Sequence, residues 1–215
     1  TLGIHVYPDT TVVVHAPLGS DESAITALVL KRARWITQHQ REFAQNAPES
    51  PLPLQHVSGE AYRYLGRQLR LKVVEGTVER VTLDGHYLLA EVRDPEDQTN
   101  TGELITRWFH RQAKRVFAER LEQCLPRVEA VGITPSEQLT IRDMKTRWGS
   151  CTPKKRILLN VRLIHVDPHL IDYVVVHELC HLKELNHSAA YYALLDKVMP
   201  DWRERREALN RAELR

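Results

Sequence analysis

The 215-residue chain has only three cysteines, Cys124, Cys151 and Cys180, odd in number and widely spaced. That scarcity argues against a disulfide framework, and a reducing, cytoplasmic setting is the expectation. No apolar run approaches the roughly 18 uncharged residues of a membrane span, so no membrane partner is expected. No secretory signal is visible either. An excess of one charge is also missing: 30 Lys+Arg face 28 Asp+Glu, a formal net charge of +2. This balance is too small to argue for a nucleic-acid partner. The remaining composition, 42% hydrophobic and 27% charged, is that of an ordinary soluble globular chain, and the length suits one domain or two small ones.

The informative stretch is HELCHLKELNH, His177 to His187. On a helix of 3.6 residues per turn, His177 and His181 sit about 40° apart around the axis. Two imidazoles so placed can meet one metal ion at the zinc–nitrogen distance of about 2.0–2.1 Å. Glu178 lies on the flank of that face, where it can act as general base without being a ligand; this is the chemistry of an H-E-x-x-H motif. On a continuing helix His187 would lie about 9 Å beyond His181 and roughly 100° off the metal face. As third ligand it therefore requires the helix to end near Glu184 or Leu185 and the chain to fold back. Asn186 tolerates the left-handed conformation that closes a helix, and Ser188 can cap a new helix from Ala189. Three histidines with an open fourth position make a catalytic zinc site, and three imidazoles suit Zn2+.

The short motif alone is only suggestive. With 11 His and 28 Asp+Glu in the chain, an accidental H-[DE]-x-x-H arises in about 7% of such sequences. The flanks change the odds. Asp167-Pro168 reads as N-cap and first helical residue, and an apolar run (Leu170, Ile171, Val174, Val175, Val176) leads into the motif. Two His and a Glu in so apolar a helix are costly unless paired or metal-bound. Rivals to His187 are Glu184 and Asp196, and Asp196 is also the best candidate for a fourth ligand closing a non-catalytic zinc site. Cys180 reads as a buried apolar residue. Tyr191 and Tyr192 read first as core packing, with reach to the site to stabilise an oxyanion as the sharper reading.

Before the motif, residues 3–16 read as a hairpin turning at Pro8-Asp9, and Ser20 or Asp21 caps a helix to about Ala47. His39 packs or solvates on that helix. Residues 48–56 read as a linker. Strands come next, from Ala61 to Val92, with Asp84-Gly85 a two-residue hairpin signal. The polar stretch 91–103 is a boundary, giving an N-terminal α+β scaffold over 1–98 and a metallopeptidase domain over 99–215. A long helix is expected from about Glu103 to Leu125, with Arg107 and His110 exposed. Pro126 weakens that helix, and Gly132 terminates the short segment beyond it. Residues 138–147 read as a strand, WGSCTPKK as a turn and Ile157–Leu163 as its partner. The edge of such a hairpin can bind an extended protein or peptide substrate. The basic group Arg142, Lys145, Arg147, Lys154, Lys155 and Arg156 reads as solvated turn charges, with an acidic substrate or nucleic acid as the sharper reading. A helix from Ala189 to Pro200 and a charged helix, Trp202 to Glu213, complete the chain.

IRDMKTRWGSC (141–151), Leu159-Asn160, IDYVVVHELCHLKELNHS (171–188) and PDW (200–202) together resemble the YgjP-like family of small bacterial zinc metallopeptidases, related to the SprT-like and WLM groups of minimal zincins. PDTTVVVHAP (8–17) and GEAYRYLGRQLRL (59–71) resemble its N-terminal pattern. The resemblance implies an α+β, zincin-like core of the minimal gluzincin type behind an N-terminal β-hairpin and helix region. It implies zinc at His177, His181 and His187 with Glu178 as general base, and places Arg147 to Cys151 on the substrate side. Kinship with SprT-like proteins leaves open an alternative, a protease acting on DNA-bound proteins. Metzincins have Gly where this chain has Glu184, so their long zinc-binding consensus is not met.

Overall fold

The computed structural model of the chain describes residues 3–6, 12–17, 19–45, 53–134, 139–145, 147–152 and 155–212. Its contacts divide the chain into two compact units, 1–53 and 54–215. The boundary expected after residue 98 thus falls inside the larger unit, because the strands before it share a core with the helix after it.

In the first unit, β1 (Gly3–Val6) pairs antiparallel with β2 (Val12–His15), Gly3 opposite His15. The Pro8-Asp9 turn lies outside the described residues, as do the side chain of His39 and most of the expected linker. Helix α1 (Glu22–Gln45) starts where the Asp21 carboxylate accepts the Ser23 amide at 3.1 Å. Its apolar stripe is buried at Ile36 and half-buried at Ile25, Leu28 and Val29.

The second unit opens with a four-stranded sheet of order β3-β4-β6-β5: β3 (Ala61–Tyr64), β4 (Arg67–Glu75), β5 (Arg80–Asp84) and β6 (Tyr87–Val92). Strands β4 and β6 run parallel, while β3 and β5 pair antiparallel at the two edges. Asp84 pairs with Tyr87 across a two-residue Gly85-His86 loop, and Gly85 supplies the positive φ, +58°, that such a turn requires. One face, with Tyr62, Tyr64, Leu69, Leu71, Leu88, Ala90 and Val92, is buried. It belongs to one core with α2 (Gln98–Glu129), whose Ile105, Trp108, Phe109, Val116 and Phe117 recur at the helical period. Arg107 and His110 are exposed, as expected.

Helix α2 begins five residues earlier than expected, because Asp97 caps it by accepting the Asn100 amide at 2.9 Å. It also runs through Pro126. So near the end of the helix the proline removes one backbone bond without breaking the packing of Cys124 and Val128. Gly132 then closes the turn at φ +76°.

A three-stranded sheet comes next, of order β7-β9-β8, with β7 (Leu139–Arg142) parallel and β8 (Gly149–Cys151) antiparallel to β9 (Ile157–Asn160). The expected simple hairpin is therefore corrected: β8 lies inside the stretch read as a turn, and β9 stops at Asn160. The buried Asn160 side chain causes both. Its Nδ2 donates to the carbonyls of Met144 (2.6 Å) and Arg147 (2.9 Å), pinning the β7–β8 loop. Its Oδ1 accepts the Arg162 amide at 3.1 Å, capping the 3-10 helix Val161–His165.

Three helices complete the unit: α3 (Pro168–Cys180), α4 (Ala189–Val198) and α5 (Trp202–Asn210). Asp167 stands at the N-cap of α3 but makes no side-chain capping bond. Its carboxylate lies instead against Gly66, where any Cβ would sit 2.1 Å from Oδ1. Helix α3 is buried almost all round, and the Arg120 guanidinium of α2 binds its Asp172 carboxylate through two hydrogen bonds, Nε–Oδ1 at 2.6 Å. Asp172 is 5% exposed, so this is a desolvated pair locking α2 to α3. Among the described residues no helix is long and apolar enough to cross a membrane.

Candidate metal centre

The last turn of α3 carries His177, Glu178 and His181 out of the apolar core. The helix ends at Cys180, with His181 as its C-cap, a turn earlier than the Glu184–Leu185 end expected. Tight turns then close the chain, with the amides of Lys183 and Glu184 both donating to the Cys180 carbonyl at 3.1 and 3.0 Å. No left-handed residue is used: Asn186 has no positive φ, and its carbonyl accepts the Ser188 amide at 2.7 Å. Ser188 Oγ caps α4 by accepting the Tyr191 amide at 3.3 Å, as expected.

This reversal brings His187 back. Its Nε2 lies 3.1 Å from Nε2 of His181 and 3.1 Å from Nε2 of His177. The three form a group whose ligand atoms all lie within 4.8 Å of one another. One ring hydrogen on His187 cannot serve both neighbours, so convergence of three imidazole nitrogens leaves unshared lone pairs facing each other. A tetrahedral zinc with bonds of about 2.0–2.1 Å holds its nitrogens about 3.3 Å apart. The donor set fits such an ion in type and spacing.

The surroundings keep the rings in the ligand state. His181 Nδ1–H donates to the Glu184 carbonyl at 3.0 Å, which leaves the lone pair on Nε2. Burial, then the neighbouring His181, His187 and Arg206 charges, push the His177 pKa down to about 3. Burial, His181 and Arg206 lower that of His187 as well. Both are neutral near pH 7. His177 Nδ1 is buried and has no hydrogen-bond partner among the described residues.

Tyr191, fully buried, organises the group. Its ring lies flat on His181 (centroids 4.7 Å, 25°) and edge-on to His187 (4.8 Å) and His177 (5.4 Å). Its hydroxyl donates to the His177 carbonyl at 3.1 Å, and burial holds it protonated. The oxyanion role open to Tyr191 in the sequence is therefore corrected, since that donor is already committed. Tyr192 is half-buried and stacks on His187 (6.1 Å) and on Trp202 (5.4 Å). Asp196 is corrected too: it accepts Trp202 Nε1 at 2.7 Å and pairs with Arg203 at 2.5 Å, outside the histidine group. Glu184 contributes its carbonyl to His181 and no carboxylate to the group. Cys180 is fully buried, and burial pushes its thiol up to about 12.

Glu178 is 5% exposed and packs against β8. A Cβ on Gly149 would sit 2.6 Å from its Oε1. The backbone amide of Cys151 donates to its carboxylate, and Arg147 stands near enough to oppose the effect of burial, which raises its pKa to about 8. The family resemblance put Arg147 to Cys151 on the substrate side and included Asn160, but residue-type reasoning gave no role to Gly149, the Cys151 amide, Asn160 or Arg206. Only Gly149 carried a signal, as the one glycine between Trp148 and β9. The others act through backbone groups or by position in the fold.

Compared with known protein families, residues 1–212 match the YgjP-like metallopeptidase domain. A comparison with curated proteins gave no match. Among solved structures, the crystal structure of the metallopeptidase zymogen of Pyrococcus abyssi abylysin is 21% identical and covers 43% of this chain and 90% of its own, with a TM-score of 0.39. At that score it supports no argument about this chain. The family match spans nearly every residue, and with the histidine group at its centre the chain belongs to the YgjP-like metallopeptidase family.

Proposed function

We propose that this metallopeptidase is a zinc-dependent peptidase of zincin-like architecture, with His177, His181 and His187 holding the ion and Glu178 as general base. The observation that carries the reading is the convergence of three imidazole nitrogens, two of their separations 3.1 Å, beside one buried carboxylate. When bound, zinc supplies Lewis-acid chemistry, polarising a carbonyl and acidifying water. Glu178 accepts the proton of the attacking water at a carboxylate oxygen and returns it to the departing amine nitrogen. The Cys151 amide donates to its carboxylate and holds it in place.

The strand β8 offers the substrate a place to lie. Asn160 N–H donates to the Trp148 carbonyl (2.8 Å) and Thr152 N–H to the Arg156 carbonyl (2.9 Å). The alternate residues Gly149 and Cys151 therefore direct their backbone groups away from β9. The Cys151 amide on that edge is bound to Glu178, so a peptide paired there runs past the base. The free thiols and the chemistry of the donor set support a cytoplasmic enzyme acting on protein or peptide substrates. The test is Glu178→Gln, zinc-loaded, against an unstructured protein. Cleavage is expected to fall by about 10²–10⁴-fold with zinc retained. An undiminished rate rejects the mechanism.

A further inference from the structure

The exposed cations around β8 and on α5 have no task in the mechanism above. We propose that the cleft selects extended peptides with acidic residues on both sides of the scissile bond, because unpaired cations stand at both ends of the strand along which such a peptide lies. The inference rests on the peptidase reading of the same site.

Strand β8 has only three residues, Gly149–Cys151. The exposed Arg147 precedes it by two positions, in the loop that Asn160 pins by its bond to the Arg147 carbonyl. The exposed Lys155 and Arg156 come after it, in a turn closed by bonds from Lys155 N–H to the Thr152 carbonyl (2.8 Å) and from Thr152 N–H to the Arg156 carbonyl (2.9 Å). At about 3.3 Å per residue, the two groups bracket roughly five residues of a paired extended chain.

Arg206 adds a third cation from α5. It lies one turn on from Trp202, whose indole stacks on Tyr192, which in turn stacks on His187. Arg205 beside it donates to the His169 carbonyl at 2.9 Å, fastening α5 along α3. The charge of Arg206 is felt at His177 and His187, and that of Arg147 at Glu178.

Other exposed cations, such as Arg107, Arg111 and Lys114, also lack an ion pair among the described residues, so what makes these charges informative is their position at the two ends of one strand edge beside the histidines. Arg203, Arg205 and Arg211 pair with Asp196, Asp201 and Glu207, and Arg80 and Arg115 pair with Glu91 and Glu119. Among the described residues no carboxylate lies within ion-pair distance of Arg147, Lys155, Arg156 or Arg206. Asp143 is the one carboxylate of the β7–β8 loop. Unpaired cations beside a substrate cleft select for complementary charge and speed its capture. Their grouping at two strand ends suits acidic side chains of an extended peptide better than the continuous phosphate row of a nucleic acid.

The test uses the full chain with Glu178→Gln, loaded with zinc, and fluorescence anisotropy of labelled peptides of equal length. One peptide carries Asp and Glu on both sides of a neutral centre and an amidated end; a second has Asn and Gln in their place. A third is the neutral peptide with a free carboxylate end, and a fourth probe is a single-stranded oligonucleotide. The acidic peptide is expected to bind about tenfold tighter than its neutral counterpart at low salt, with the advantage shrinking as salt rises. Arg147→Gln, Arg206→Gln and the pair Lys155→Gln with Arg156→Gln are each expected to reduce that advantage about two- to five-fold. Equal binding of acidic and neutral peptides, an advantage untouched by all the variants, an advantage restored by the free carboxylate end alone, or tighter binding of the oligonucleotide would each overturn the inference. A binding preference without any cleavage by the wild type sinks the general-base reading and leaves this one standing. Cleavage without preference does the reverse.

Discussion

Replacing Gly149 by alanine sets a methyl carbon 2.6 Å from Glu178 Oε1, 2.8 Å from its Cγ and 2.9 Å from its Cδ. Non-bonded carbon contacts settle near 3.5–4.0 Å, so relief requires a displacement of about 1 Å. The backbone at residue 149 has no positive φ, and alanine is acceptable there as a strand residue. The strain therefore falls on the contact. Glu178 is poorly placed to absorb it, being 5% exposed and tied to the Cys151 amide. Misplacing a catalytic group by about 1 Å costs on the order of 10²-fold in rate, and overpacking costs about 1–3 kcal/mol in stability. The three atoms nearest such a methyl all belong to Glu178, so zinc binding at the proposed histidine site is expected to be intact. Initial rates on an unfolded protein, zinc content by elemental analysis and a thermal melt separate these effects. A folded, zinc-loaded Gly149→Ala enzyme working at the wild-type rate would refute the placement of Glu178 against β8 as its working position.

Three further outcomes are expected. Arg120→Met leaves Asp172 buried without its partner and should destabilise the chain by about 3–5 kcal/mol in urea unfolding, while replacing both residues by leucine should cost far less; equal losses would contradict the pairing. His187→Ala should drop zinc content well below that of the wild type with the fold retained by circular dichroism, and full zinc occupancy would remove His187 from the ligand set. In the metal-free protein the folded pKa of His177, about 3, lies below its ordinary value of 6.5. The unfolded chain then binds the extra proton, so the stability linked to this ring is complete above pH 6.5 and is lost as pH falls towards 3. His177→Gln should show a smaller drop in urea midpoint between neutral and acid pH than the wild type, and identical slopes would argue against a ring held neutral by burial.

The periodicities of α2 and α3 and the alternation of the strands between Ala61 and Val92 were open to reading because they express local geometry: one face of an element meets the core. The spacing of His177, Glu178 and His181 was legible for the same reason, as was the need for a chain reversal before His187. Periodicity misplaced what depends on single side-chain and turn bonds, most of them local and those from Asn160 to the β7–β8 loop long-range. Asp97 started α2 early, Asn160 ended β9 and pinned the β7–β8 loop, and tight turns closed α3 without help from Asn186. The partners that prepare the site are backbone groups of distant segments, the Cys151 amide on Glu178 and the His177 carbonyl under Tyr191.

From its residue order alone, this chain determined that His177, Glu178 and His181 share one stretch of helix and that His187 joins them only through a chain reversal, since spacing on a helix is set by covalent geometry. Tertiary structure alone decided that Tyr191 is committed to the histidines, that Asp196 is turned away to Trp202 and Arg203, and that a three-residue strand closes over Glu178. Those outcomes depend on how buried polar groups find partners across the fold, and no local pattern specifies that pairing.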